Sequence, residues 1–82
     1  MYTETIAIRL KQIRKELGLS QHYVAKETGI HQSKISRYES GEREPTMDDI
    51  GRLADFYDVS TDWLFGIGRK KEEEKVINKK EK

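Results

Sequence analysis

The segment Gln21 to Ser40, QHYVAKETGIHQSKISRYES, holds two helical periodicities only three residues apart. Ser20 can cap the first helix, over about Gln21 to Thr28, which buries Val24 and Ala25. Gly29 ends it, and Gly29 to His31 are all that separate it from the next apolar positions, Ile35 and Tyr38. The second helix runs from about Gln32 to Glu39, with His31 at its cap position, and stops at Gly41. Two short helices joined by a three-residue turn containing Gly form a helix-turn-helix. Ala25 falls where the helices cross, so a larger side chain would push them apart. Gly29 falls where the chain turns sharply, and a positive φ there is free of strain only for glycine.

The flanking chain carries more helices of the same kind. Ile6, Leu10, Ile13 and Leu17 recur at spacings of 4, 3 and 4, one apolar stripe that Gly18 terminates. Thr46 can cap a fourth helix, with Asp48 and Asp49 in its first turn and Ile50, Leu53, Ala54 and Tyr57 on its apolar face. Ser60 can cap a fifth, short helix holding Asp62, Trp63, Leu64 and Phe65, which Gly66 and Gly68 end. No strand alternation interrupts them, so the expected class is all-α. Leu, Ile, Val and Phe number 18 of 82 residues, enough for a folded but thin core. Residues 1–68 are expected to form one domain around the motif at 21–40. Residues 69–82, RKKEEEKVINKKEK, have only two apolar residues, and the expectation there is a charged tail, disordered or a frayed helix.

Charge is unevenly spread behind a net value of +1. Residues 1–43 hold eight basic and five acidic side chains, residues 44–66 one and six, and residues 67–82 seven and four. Such asymmetry suits an anionic partner on one face. The absence of cysteine excludes disulfides and Cys-based zinc sites. His22 and His31 are nine apart, no metal-ligand spacing, so no metal and no cofactor is expected. No apolar run approaches the roughly 20 residues that span a bilayer, and the N-terminal residues lack a secretory pattern, which leads us to expect a cytoplasmic protein without membrane association. Catalysis finds no constellation here: no Ser/His/Asp, no Cys/His and no phosphate loop. Asp48 and Asp49 are adjacent, so they leave their helix in different directions and cannot act as a pair.

With Ile35 and Tyr38 turned inward, Gln32, Ser33, Lys34, Ser36 and Arg37 form an outer face that is polar, long-reaching and nearly free of acids. That face suits base edges and phosphates in a major groove. The stretch RLKQIRKELGLSQHYVAKETGIHQSKISRYESGEREPTMDDIGRLADFYDVSTDWLFG, residues 9–66, resembles the phage repressor and Cro family of regulators, also called the Xre family. LGLSQ, VA, TGI, ISRYE, SGEREP, LA and VSTDWL stand in that family's order and spacing.

The resemblance implies a bundle of five helices that binds double-stranded operator DNA as a homodimer and regulates transcription, most simply as a repressor. It also implies roles. Gln21 would contact a phosphate and brace the recognition helix by holding the amide of Gln32. Gln32 and Ser33 would touch base edges, with Arg37 one turn on. Apart from the resemblance, Lys34, on the same outer face as Ser36, is expected to contact phosphate or to stay solvated and not to read a base. Ser40 and Arg43 would meet the sugar-phosphate backbone. Arg14 and Glu39 match a buried ion pair. Trp63 either covers the edge of the core or joins Phe65 and Ile67 in a dimer interface.

Prophage repressors, restriction-modification controllers and antitoxins share this domain, and the sequence points to no particular anti-repressor or toxin. A protein-interaction adaptor reusing the fold would carry acids or apolar residues in place of Gln32, Ser33, Lys34 and Arg37.

Overall fold

The structure is a computed structural model that describes residues 2–67. The tail at 69–82 and Gly68 lie outside the described residues. Five helices follow one another, and no strand occurs among the described residues: α1 (Tyr2–Glu16), α2 (Gln21–Thr28), α3 (Gln32–Ser40), α4 (Met47–Tyr57) and α5 (Thr61–Phe65).

Each helix after the first begins at a side-chain cap. Ser20 Oγ accepts the backbone N–H of Tyr23 at 3.0 Å, Thr46 Oγ1 that of Asp49 at 3.1 Å, and Ser60 Oγ that of Trp63 at 3.0 Å. These bonds satisfy amides that the first helical turn leaves without partners. The break between α2 and α3 is made at Gly29, whose φ of +76° turns the chain out of α2. Its N–H closes the helix on the carbonyl of Ala25 at 2.9 Å.

The apolar faces meet in one core. Ile6, Leu10 and Ile13 of α1 pack with Val24, Ile30, Ile35, Tyr38, Ile50, Leu53, Tyr57 and Leu64. Each buried aliphatic side chain stabilises the fold by about 1.5–3 kcal/mol. Helix α3 rests on α1 and α2, while α5 closes the other end against α1 and α4. Ala25 is half-buried against the core at the α2–α3 crossing.

Leu17 departs from the expected stripe. Helix α1 ends at Glu16, the chain reverses at Gly18, and Leu17 is left 52% exposed. The periodicity persists one position beyond the last helical turn, and the turn rotates that position away from the core. Its place beside the core is taken by Leu19, which the spacing does not mark.

Candidate nucleic-acid interface

The site is the outer face of α3 with the segments that flank it. The face is usable because the opposite side of the helix is tightly fixed. Glu39 is buried at the end of α3, its side chain only 4% exposed, and it accepts three hydrogen bonds. Arg14 reaches it from α1 in the two-pronged geometry that matches a carboxylate, Nε to Oε2 at 2.8 Å and Nη2 to Oε1 at 2.9 Å. Arg14 Nη1 also donates to the carbonyl of Leu19 at 2.8 Å. The hydrogen bond to Glu39 raises the pKa of Arg14 above its ordinary value against the opposing effect of burial. Gln21 Nε2 completes the set by donating to Glu39 Oε1 at 3.1 Å.

A second tie holds α3 to α4. Tyr38 Oη donates to the Asp49 carboxylate at 2.5 Å, both residues buried. Burial first, and then this bond, push the Tyr38 hydroxyl up to about 12. Neither spacing nor the family resemblance marks this contact, since Asp49 reads as an ordinary first-turn acid.

The residues singled out by sequence divide as follows. Gln32, Ser33, Ser36, Arg37 and Ser40 are exposed on α3, and Arg43 is exposed just beyond it. Lys34 is half-buried, because it flanks the inward-facing Ile35. Ser40 Oγ donates to the carbonyl of Arg37, and that carbonyl also accepts the backbone N–H groups of Glu42 and Arg43 at 3.0 and 3.3 Å. The loop carrying Arg43 is thereby fastened to the end of the helix. Gln21 braces the recognition helix, but at Glu39 and not through the amide of Gln32. The Glu39 carboxylate is the stronger acceptor and lies on the buried side that Gln21 faces.

Two residues given no contact role from sequence, Lys11 and the cap residue His31, also reach this face. Lys11 of α1 lines one groove together with Gln21, Ser36 and Ser40. His31 lines another with His22, Lys26 and Gln32. The signal for Lys11 was its position on α1 one turn before Arg14.

Trp63 belongs to the core of its own chain. It is 6% exposed, with the Arg9 guanidinium 4.9 Å from its ring centroid and donating to its backbone carbonyl. Phe65 is half-buried, edge-on to Tyr2 at 5.4 Å, and Ile67 is 44% exposed. Among the described residues no cluster of His, Asp or Glu could hold a metal ion, and no helix is long and apolar enough to cross a membrane.

A family model described as helix-turn-helix matches residues 10–64. The chain belongs to the helix-turn-helix family. Among curated relatives it is 37% identical over 73 residues to the HTH-type transcriptional regulator ImmR of Bacillus subtilis, covering 87% of this chain and 58% of that protein. It is 40% identical over 58 residues to the cryptic phage CTXphi transcriptional repressor RstR of Vibrio cholerae, covering 71% and 52%. The chain thus spans little more than half the length of these helix-turn-helix relatives. Among solved structures it resembles the restriction-modification controller protein C.AhdI of Aeromonas hydrophila, with a TM-score of 0.71 at 29% identity, over 76% of this chain and 94% of that one.

Proposed function

We propose that the protein is a sequence-specific, double-stranded-DNA-binding transcriptional regulator. It places α3 in the major groove and represses by occupying its operator. The supporting observation is the contrast between the two sides of α3. Its inner side is held by Arg14, Gln21 and Asp49, while its outer side offers Gln32, Ser33, Ser36 and Arg37 to solvent. A helix fixed in this way presents its side chains to base edges without having to be ordered on binding. Relatives that are transcriptional regulators, among them a phage repressor, support the same reading.

Within it, Gln32 reads a base edge, its amide matching the N7 and N6 of adenine. Ser33 reads beside it, and Arg37 reaches guanine or phosphate one turn on. Lys11, Lys34, Ser36, Ser40 and Arg43 meet the sugar-phosphate backbone, and Gln21 contacts a phosphate while bracing Glu39. One recognition helix reads only a few base pairs. A two-fold homodimer doubles the readout and demands an inverted repeat with half-sites about 34 Å apart. The protomer surface at the ends of α1 and α5, with Tyr2, Phe65 and Ile67, is the apolar patch suited to that pairing. The protein works without cofactor in the bacterial cytoplasm.

Selection from random duplexes with the full chain tests the reading: it enriches a palindrome. On that duplex Gln32→Ala costs about 1–3 kcal/mol and relaxes preference at one base pair of each half-site. Arg43→Ala weakens all sequences alike and lowers the salt dependence of binding. Failure to enrich any sequence overturns the function, and exchanged behaviour of the two variants overturns the docking.

A further inference from the structure

Helix α5 has five residues, too few to hold itself, and three side chains of α1 fix its end. Tyr2, Thr5 and Arg9 are spaced by 3 and 4, one stripe along α1. Tyr2 packs edge-on against Phe65 at 5.4 Å, and Thr5 stands against Gly66. Arg9 Nη1 donates to the Trp63 carbonyl at 2.5 Å, while its guanidinium lies 4.9 Å from the Trp63 ring centroid.

A guanidinium is shaped to pair with a carboxylate. Among the described residues the ion pairs are Arg14 with Glu39 and Arg52 with Asp48, and Arg9 belongs to neither. Its charge is directed at a backbone carbonyl and a ring face, both on α5. That carbonyl also accepts the Gly66 N–H at 3.1 Å, and the Ile67 N–H closes on the carbonyl of Asp62 at 2.9 Å. The helix end therefore has its own bonds, and Leu64 anchors α5 in the core. What Arg9 adds is a cross-link from α1 to the last turn of α5, beside Phe65 and Ile67.

We propose that Arg9 is a positioning residue for the homodimer, holding the end of α5 on α1 so that Phe65 and Ile67 meet a second copy of this chain already ordered. This rests on the α1–α5 pairing surface proposed above. A surface ordered beforehand loses less conformational freedom on association. The effect falls on dimer affinity and not on the reading of a half-site.

The test uses the full chain. Arg9→Met keeps a long stem over the Trp63 ring and removes the donor and the charge. Arg9→Lys keeps the charge and a donor without the planar fork. Sedimentation across a concentration series measures self-association, and a duplex with one half-site of the selected palindrome measures reading by the protomer. Arg9→Met is expected to associate about three- to tenfold more weakly, the range for one lost hydrogen bond, and to bind the single half-site like the parent. Arg9→Lys falls between the two. Trp63 is the single tryptophan, so its emission in the protomer reports on α5 and shifts in Arg9→Met. Ile67→Glu is measured alongside. Undiminished or stronger association in Arg9→Met, while Ile67→Glu weakens it, overturns the proposal and leaves the pairing surface standing. A half-site loss as large as the loss of association also overturns it, as does a variant that fails to fold, because Arg9 would then serve the fold and not the pairing. If Ile67→Glu associates like the parent, the pairing surface is wrong and this inference falls with it.

Discussion

Glu39 holds the candidate site together from inside, beneath the exposed side chains of α3. Replacing it strands the Arg14 guanidinium, only 11% exposed, beside Gln21 without a carboxylate partner. Breaking one side of a buried pair typically costs about 3–5 kcal/mol, a large share of the roughly 5–15 kcal/mol that holds a domain together. Glu39→Ala is therefore expected to shift the urea midpoint strongly. The exposed Glu42→Ala should stay within about 0.5 kcal/mol of the parent. Equal small shifts would mean that the pair contributes little.

The buried tyrosines give a pH signature. Burial pushes the hydroxyls of both Tyr38 and Tyr57 up to about 12 from the ordinary 10. The unfolded chain then releases these protons first, so stability is intact below about pH 10 and falls as pH rises toward 12. Tyr57→Phe should flatten part of that alkaline decline in melting experiments, and an unchanged slope would contradict the assignment.

At this scale the sequence is legible only in part. Arg14 and Glu39 are 25 residues apart, beyond any helical period, so the pair was reached through family resemblance. The Tyr38–Asp49 bond had no signal, because an acid in a first helical turn already has a sufficient local reason to be there.

Elements were far more readable than contacts, because their ends depend on neighbours in sequence. Ser20, Thr46 and Ser60 all cap where a short polar side chain precedes an apolar period. The exceptions are instructive. Leu17 keeps the α1 period after the helix itself has stopped. Helix α4 ends at Asp58 with a left-handed φ of 58°, where no glycine advertises the stop. Helix α5 is only five residues long and depends on its packing. Its end at Gly66 combines a φ of +79° with close approach to α1: a Cβ there would lie 2.8 Å from Thr5 Cγ2. Gly18 has a similar φ of +70° but nothing within 4 Å of the same position.

Gly18→Ala should thus lose about 1 kcal/mol for the backbone alone, and Gly66→Ala distinctly more. Thr5→Ser removes the obstructing methyl, so the double variant Thr5→Ser/Gly66→Ala should recover part of the difference in a thermodynamic cycle. Additive losses would show that Thr5 is not the obstacle.

The whole molecule divides its charges along the chain. Residues 44–66, which form α4 and α5, hold six of the acids, while the basic residues of the first half include Lys11, Lys34, Arg37 and Arg43 around α3. An uneven distribution of this kind orients a protein toward a polyanion before any contact forms. That polarity was visible in sequence, and so was the all-α class, because both are sums over many residues.

The proposed pairing surface was not, since Trp63, Phe65 and Ile67 differ in burial for reasons of tertiary packing. Trp63 is enclosed by its own chain under Arg9, whereas Tyr2, half-buried Phe65 and Ile67 remain open at the junction of α1 and α5. The two kinds of position should part company when altered. Trp63→Ala empties a buried aromatic site and is expected to cost about 3–5 kcal/mol, seen as a lower melting temperature at any protein concentration. Ile67→Glu changes an exposed residue, so the protomer should melt as before. In a two-fold dimer, however, it would place two carboxylates in one apolar contact. Sedimentation across a concentration series should then show weaker self-association, and binding to the palindrome should lose its dependence on a second half-site. If Ile67→Glu associates as well as the parent, the α1–α5 end is not the dimer surface.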